Sequence, residues 1–221
     1  MKSEYWDRRF SMGGKIWGDS PSKTAEYACE LFLKNKVQKI LIPGAGYGRN
    51  SKLFSNQGFD VTGIEISGKA CEIAKEYDLK TNFFKGSFLD MSFDIDQYDA
   101  IYCHNTLHLF LKSNRILFVK RCYDQLKNDG FVFFSMFSEK EKTFGKGKEF
   151  EKNTFESKPG RPVHYFSKKD LITHFKDFLI IKTGLMKEKE NHGELGLHTH
   201  ILRFIFAQKR NKIKDLKIKL K

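Results

Sequence analysis

This chain of 221 residues has little cysteine and proline, and its apolar runs are short. Its four cysteines, at positions 29, 71, 103 and 122, lie far apart and form no C-x-x-C pair. Neither a disulfide framework nor a metal site is therefore expected. No apolar run approaches the roughly 20 residues of a membrane span, and the N-terminus shows no apolar signal segment. We therefore expect a cytoplasmic protein with no membrane span.

Charge is abundant, and much of it is concentrated in one short segment. The net charge is +13, and residues 209–221 hold seven Lys/Arg against one Asp, which places +6 of that charge in the tail. The remaining +7 is spread among many acidic residues. This distribution favours a solvated basic tail over a nucleic-acid surface, with RNA or membrane binding by the tail as the alternative.

Strand-like and helix-like segments alternate, which predicts an α/β fold with helices on both faces of a mostly parallel sheet. The last two strands are joined without a clear helix, so an antiparallel hairpin is expected there. We predict one domain over residues 1–208, with an N-terminal segment at 1–35 and an irregular, lid-like loop at 137–166. The predicted strands are 37–42, 60–65, 82–85, 98–103, 131–135, 179–183 and 199–207, and the first long helix starts with Ser20 as its N-cap.

The most informative motif is a glycine-rich loop that follows the first predicted strand. It carries Gly44, Gly46 and Gly48, and Glu65 ends the next strand about 20 residues further on. Glycines let a ligand approach the backbone, and a carboxylate at that distance suits ribose hydroxyls. A dinucleotide loop, G-x-G-x-x-G, would need glycine where Arg49 stands, so the spacing favours a different nucleoside cofactor.

The G-x-G-x-G form resembles the first motif of class I S-adenosylmethionine (SAM)-dependent methyltransferases. Pro43, the stretch 57–67, the aromatic segment 5–10 and the loop 160–166 resemble the thiopurine and halide/thiol branches. The stretch 46–51, together with Gly193-Glu-Leu195, is similar to the tellurite-resistance branch. The resemblance spans about residues 5–209 and implies a seven-stranded Rossmann-like domain that binds SAM, with residues 1–35 folded over the cofactor.

The resemblance also implies which residues bind the cofactor. Arg49 and Asn50 could reach the methionine carboxylate, or could only cap the following helix. Ser87 and Phe88 stand where the family commonly has an acid against adenine, with Asp90 as an alternative. A backbone carbonyl at Cys103 or His104 could accept a hydrogen bond from the SAM ammonium. The implied cofactor-binding residues are Arg9, Trp17, Gly44, Gly46, Gly48, Arg49, Asn50, Glu65, Ile66, Ser87, Phe88, Cys103 and His104.

For the chemistry, His104 and His164 are predicted as catalytic residues, while His198 and His200 are further candidates and His108 is expected to fill the core. A hydroxyl or amine acceptor needs a positioned base, whereas a soft nucleophile does not. The expected partner is a small-molecule methyl acceptor, either a sulfur, selenium or tellurium nucleophile or a small anionic metabolite. The pattern indicates no particular oligomeric state.

Three other functions compete with this interpretation. A nucleic-acid methyltransferase would suit the net charge, but the segment His104-Asn-Thr-Leu lacks the motif of amino-group DNA methylation. A catalytically silent SAM-binding module that regulates a partner is the second alternative. A NAD-linked oxidoreductase is the third, and Arg49 disfavours it.

Overall fold

The computed structural model describes residues 3–90, 97–156, 158–191 and 196–210. The tail beyond residue 210 and the stretch Gly193-Glu-Leu195 lie outside the described residues. The strands are β1 Lys39–Pro43, β2 Asp60–Glu65, β3 Asn82–Lys85, β4 Tyr98–His104, β5 Leu126–Phe137, β6 Lys148–Glu151, β7 Thr154–Glu156, β8 Val163–His164, β9 Phe178–Asn191 and β10 Leu197–Lys209. The helices are α1 Ser3–Gly13, α2 Lys23–Lys34, α3 Ser51–Asn56, α4 Gly68–Tyr77, α5 Lys112–Gln125 and α6 Lys168–His174.

Seven strands form the central sheet in the order β3-β2-β1-β4-β5-β10-β9. The first five strands pair in parallel, and β10 runs antiparallel to both β5 and β9. The middle of β4 is buried residue after residue, as expected for a parallel strand covered on both faces. The predicted α/β class, with its mostly parallel sheet and C-terminal antiparallel hairpin, is confirmed.

Helices cover both faces of the sheet and create two apolar layers. On one face Phe118 of α5 and Phe175, the residue after α6, pack against the strands. On the other face α2 and α3 contribute Phe32 and Phe54. A third cluster of aromatic side chains lies under α1, beside the carboxyl edge of the sheet. In the described part of the chain, no helix combines the length and the apolar character needed to cross a membrane.

The first long helix begins later than predicted. Ser22, not Ser20, is the N-cap of α2, and its Oγ accepts a hydrogen bond from the backbone N–H of Ala25 at 3.1 Å. The backbone N–H of Ser22 is itself held by Asn50 Oδ1 at 2.9 Å. This long-range partner sets the helix start, and local sequence could not reveal it.

The stretch 137–166 is not the irregular loop that was predicted. It folds into a small antiparallel sheet in which β7 pairs with both β6 and β8. These strands have four, three and two residues, so alternation of side chains is too short to reveal them in the sequence.

Candidate active site

A cavity of about 380 Å³ opens at the carboxyl edge of the central sheet. The strand order reverses at this point, because β2 lies on one side of β1 and β4 on the other. Open α/β sheets bind their ligands at such switch points. The lining comes from the segments that follow β1, β2 and β4, from α1, from the small sheet, and from the hairpin of β9 and β10.

The loop after β1 bends at Gly44, Gly46 and Gly48, whose φ angles are +71°, +59° and +88°. Glycine adopts such angles without strain. A Cβ added to Gly44 would lie 2.4 Å from Thr106 Oγ1, so this loop touches the segment after β4. Gly44 and Gly46 line the cavity, whereas Gly48 faces Asp78 behind the loop. The prediction of Gly48 as a cofactor contact is corrected, because this glycine shapes the loop from outside the cavity.

Glu65 ends β2 and joins the glycine loop to the start of α4. Its buried carboxylate accepts hydrogen bonds from the backbone N–H groups of Gly46 and Ser67, each at 2.9 Å. Burial raises the pKa of Glu65, and these two amides oppose that shift. A carboxylate has about four acceptor positions, so acceptor capacity is left on the side that lines the cavity.

Arg49 and Asn50 both line the cavity and also tie distant segments to the glycine loop. Arg49 donates to the carbonyl of Trp17 at 3.1 Å and to Glu190 Oε1 at 3.0 Å. Asn50 makes no side-chain hydrogen bond to α3, and its Oδ1 accepts from Ser22 instead. Asn50 therefore stands at the N-cap of α3, as the alternative expected, but its side chain does not cap the helix. A contact with the methionine carboxylate stays a prediction for both residues.

Glu190 is a site residue that the sequence analysis missed. Burial opposes its ionisation, but hydrogen bonds and charge from His104 and Arg49 outweigh burial and lower the pKa of Glu190 to about 2. Its Oε1 also lies 3.7 Å from His104 Nε2. Glu190 stands in the charged run 187–190, which looks like a solvated loop in the sequence, so no local signal marked it.

His104 ends β4, and its ring lines the cavity as the sequence analysis expected. The ring is hydrogen-bonded on both sides: Nδ1 lies 2.8 Å from the hydroxyls of Thr24 and Ser135, and Nε2 lies 3.1 Å from the side chain of Asn105. The preceding Cys103 is buried in the core, where burial raises the pKa of its thiol to about 12. Cys103 does not line the cavity, which corrects its predicted cofactor contact.

Ile66, Ser87 and Phe88 line the end of the cavity where adenine was predicted to bind. Ser87 Oγ accepts a hydrogen bond from the backbone N–H of Leu89 at 3.2 Å. Phe88 is buried, with its ring centroid 4.3 Å from that of a phenylalanine of α5. The alternative residue Asp90 is not part of the described lining.

Helix α1 lies against the cavity and contributes Arg9 to its lining. Asp7 fastens this helix to α4, because Ser67 Oγ donates to Asp7 Oδ1 at 2.7 Å. Trp17 follows the helix, lines the cavity and stacks on Tyr47 with a centroid distance of 6.0 Å. Both predicted contacts of the N-terminal segment, Arg9 and Trp17, therefore border the cavity.

The small sheet borders the same cavity through Arg161, Val163 and Tyr165. The hydroxyl of Tyr165 donates to Thr143 Oγ1 at 2.8 Å, which holds its ring in the wall. Arg161 is different, because its Nε is buried and has no hydrogen-bond partner among the described residues. The segment predicted as a lid thus contributes to the cavity a guanidinium with one buried N–H that has no hydrogen-bond partner among the described residues.

His164, predicted as a catalytic residue, lies outside the cavity. Its Nδ1 is 2.8 Å from Thr154 Oγ1, and its Nε2 is 2.5 Å from Asp170 Oδ2. Burial lowers the pKa of His164, although Asp170 opposes the shift. The prediction is corrected, because Nδ1 is bonded within the small sheet and Nε2 joins that sheet to α6.

Two other histidines form the wall opposite the glycine loop. The Phe137 ring stacks with His108 at 4.4 Å and with His200 at 5.0 Å between ring centroids. Burial lowers the pKa of His108 well below its usual value. Burial also opposes protonation of His200, but Glu141, 3.0 Å from its Nδ1, and Glu190 raise the pKa of His200. His108 is buried as expected, yet it also lines the cavity, as do His198 and His200.

Comparison with known proteins agrees with this geometry. Residues 41–134 match the family model described as a methyltransferase domain. The ubiquinone biosynthesis O-methyltransferase of Bordetella avium is 28% identical over 124 residues, which are 54% of this chain and 51% of that protein. The chain therefore spans about half the length of this curated relative.

Solved structures share the fold over nearly the whole chain. The 1,6-didemethyltoxoflavin-N1-methyltransferase of Burkholderia thailandensis, with 1,6-didemethyltoxoflavin and S-adenosylhomocysteine bound, has a TM-score of 0.69 at 18% identity, covering 95% of this chain and 87% of that one. TehB from Haemophilus influenzae has a TM-score of 0.66 at 16% identity, covering 93% and 67%. A structure from echinomycin biosynthesis, described for conversion of a disulfide bond into a thioacetal group, has a TM-score of 0.72 at 15% identity, covering 99% and 98%.

The matched domain model and the shared fold agree with the class predicted from the sequence. Residues 41–134, somewhat less than half of the chain, match a methyltransferase domain. SAM is the cofactor of this class, as predicted, and the toxoflavin enzyme was solved with S-adenosylhomocysteine in place.

Proposed function

We propose that this chain transfers the methyl group of SAM to a small-molecule acceptor inside the cavity. One observation carries the proposal: a single cavity connects the glycine loop and Glu65 with a wall of histidines, Phe137 and Arg161. The first set suits a nucleoside cofactor, and the second set offers polar and aromatic contacts to another small molecule.

The residues at the glycine-loop end fit SAM. A Cβ built on Gly46 would meet only Phe10, at 4.0 Å, so the loop leaves open space for a ligand beside its backbone. Glu65 would accept from the ribose hydroxyls, and Ser87 and Phe88 would border adenine. Arg49 would lie near the methionine carboxylate. Bound SAM supplies a methyl group that is already activated on a sulfonium.

The histidines of the cavity support an acceptor that needs little base catalysis. The Nδ1 atoms of His104, His108 and His200 already contact hydroxyls, a backbone N–H and a carboxylate, respectively. An acceptor that arrives ionised, or is intrinsically soft, needs no further proton transfer to these rings. We therefore favour a sulfur, selenium or tellurium nucleophile or a small anionic metabolite. The Bordetella relative is named for O-methylation, so an acidic hydroxyl is the second candidate.

Calorimetric titration with SAM and with S-adenosylhomocysteine tests the cofactor assignment, and absence of binding for both would overturn the proposal. Release of S-adenosylhomocysteine is then measured with a panel of thiols, selenite, tellurite, phenols and amines. Turnover on the thiol or chalcogen members is the expected result.

Tight SAM binding without turnover on the whole panel would instead favour a silent SAM-binding module. A salt-sensitive gel shift that survives removal of residues 209–221 would favour a nucleic-acid substrate.

A further inference from the structure

We propose that the acceptor end of the cavity contains an anion subsite, in which the Arg161 guanidinium and the His108 imidazole N–H bind a carboxylate of the methyl acceptor. The inference rests on the proposed function, because its ligand is the acceptor of that reaction. In this arrangement the carboxylate orients the acceptor. The methyl group is transferred to another atom of the acceptor, not to the carboxylate.

Arg161 supplies the first part of the subsite. Its Nε is buried without a hydrogen-bond partner, and within the described ranges its guanidinium takes part in no ion pair. A buried N–H left unsatisfied loses the hydrogen bond that it would make in water, and the loss is greater for a charged group. A ligand that accepts from this edge of the guanidinium removes that loss. The two parallel N–H groups of arginine match the two oxygens of a carboxylate.

His108 supplies the second part, and its tautomer follows from one hydrogen bond. The backbone N–H of Phe137 can only donate, so His108 Nδ1, at 3.3 Å, must be the acceptor. In the neutral ring the proton therefore sits on Nε2. Burial, and secondarily the charge of Arg161, lower the pKa of His108, which keeps the ring neutral. The ring lines the cavity, so His108 offers a ligand a donor and not a base.

The stacked rings strengthen the preference for an anion. Phe137 stacks with His108 and His200, with interplanar angles of 20° and 22°. Rings stacked in this way cover one another's faces and turn their edges outward. The edge of an aromatic ring carries the positive part of its quadrupole. A carboxylate beside this wall therefore meets donors and positive ring edges.

More of the charged side chains that line the cavity are positive than negative, which also favours an anionic ligand. Glu65 accepts from backbone amides at the cofactor end, and Glu190, between the two ends, pairs with Arg49 and lies 4.0 Å from His200 Nε2. Glu141, near the acceptor end, is held by His200 and by the backbone N–H of Ile201. Among the described residues, the charged side chains that line the cavity are Arg9, Arg49, Lys158 and Arg161 against Glu65 and Glu190.

Two matched probes test the subsite: benzoate and its neutral analogue benzamide. Each is titrated by NMR into the full chain saturated with S-adenosylhomocysteine. We expect benzoate to bind about tenfold more tightly than benzamide, since a charge-assisted bidentate contact is absent from the amide. Arg161→Gln should reduce this preference to less than twofold and leave the affinity for S-adenosylhomocysteine unchanged. Arg121→Gln changes an exposed arginine on α5 and should keep the full preference.

Two substitutions separate the donor role of His108 from its role in packing. His108→Asn can still accept from the Phe137 N–H but has no donor at the Nε2 position, whereas His108→Gln extends an amide N–H toward that position. We expect His108→Asn to weaken benzoate binding about fivefold and His108→Gln to weaken it less than twofold. Equal losses in both variants would overturn the assignment of His108.

The outcomes also separate this inference from the proposed function. If S-adenosylhomocysteine does not bind, the proposed function fails, and the benzoate and benzamide titrations of the chain alone still test the subsite. If it binds but the two probes bind equally, the inference is overturned and the proposed function stands. Arg161→Gln weakening S-adenosylhomocysteine while sparing benzoate would assign Arg161 to the cofactor. Inorganic phosphate displacing benzoate at a lower concentration than acetate would overturn the carboxylate assignment.

Discussion

The two ends of the cavity are built in different ways. The cofactor end is formed largely by residues 44–65, a stretch that contains the glycine loop, α3 and β2. The acceptor end combines His108, Phe137, Arg161 and His200, which come from four separate segments of the chain. A short continuous motif can specify the first arrangement. The second arrangement exists only after β5, the small sheet and the C-terminal hairpin have packed together.

The Glu190–Arg49 ion pair connects these two ends. Arg49 belongs to the glycine loop and Glu190 to β9, and the side chains are only 9% and 5% exposed. Two residues earlier on the same strand, Glu188 accepts from the first backbone N–H groups of α2. The hairpin therefore holds α2 and the glycine loop in one unit.

Breaking this ion pair should have the largest effect. Glu190→Gln leaves the buried Arg49 guanidinium without a compensating charge, so we expect the free energy of unfolding to fall by about 3 kcal/mol. Urea denaturation measures this loss. Glu188→Gln, on the same face of β9, changes hydrogen bonds to backbone amides and should cost about 1 kcal/mol. Equal losses would mean that the ion pair does not join the two ends.

Gly44→Ala tests the close contact at the cofactor end. A Cβ at this position would lie 2.4 Å from Thr106 Oγ1. The alanine would also have to adopt a φ of +71°, which is strained for a residue other than glycine. We expect the affinity for S-adenosylhomocysteine to fall about a hundredfold, as measured by calorimetry. Gly58→Ala is the matched control, since φ is +88° there but no atom lies within 4 Å. A similar loss of affinity in the control would attribute the effect to backbone strain alone.

Glu65→Gln probes the ribose contact without changing the shape of the side chain. One carboxylate oxygen becomes an amide group that cannot accept from Gly46 or Ser67. The expected result is a loss of about tenfold in affinity for S-adenosylhomocysteine. Asp60→Asn, at the exposed start of the same strand, should leave the affinity unchanged. Unaltered binding by Glu65→Gln would remove this residue from the cofactor site.

The two stacked histidines should have opposite pH dependences. The folded-state pKa of His108 is lowered, so the unfolded chain binds a proton first and stability falls as the pH drops below about 6.5. His108→Asn should remove that loss. The folded-state pKa of His200 is raised, so its contribution is complete below about pH 6.5 and is lost as the pH rises through the folded-state value.

His200→Asn should therefore lose more stability at pH 6 than at pH 8. For one proton, the free energy of unfolding changes by at most about 1.4 kcal/mol per pH unit. Urea denaturation of both variants between pH 5.5 and 8.5 measures these slopes. Parallel curves for the two variants would contradict the opposite pKa shifts, which burial imposes on His108 and which Glu141 and Glu190 impose on His200.

Local patterns were enough to predict most of the central sheet. The predicted bounds of β2 and β3 agree with the structure, because apolar strands end in turn residues. The hairpin is longer than predicted: β9 extends through the charged residues 187–190, which look like a solvated loop in the sequence. Pairing with β10 keeps that stretch extended, and such pairing is not encoded in local composition.

The candidate site was predictable only in part, for the same reason. Glu65 and His104 follow directly from their positions at the ends of strands. His164 and Arg161 lie three residues apart, yet one is bonded within the protein and the other borders the cavity. Nothing in the sequence distinguishes them, since the direction of each side chain depends on how the small sheet packs.

The sequence alone determined the class of the fold, the glycine loop and the position of Glu65, because each depends on residues close together in the chain. Tertiary structure alone decided that Glu190 reaches Arg49, that His164 turns away from the cavity, and that His108 and Arg161 share one wall. These outcomes depend on contacts between residues up to 141 positions apart. Such contacts arise only when separate elements bury their apolar faces against one another.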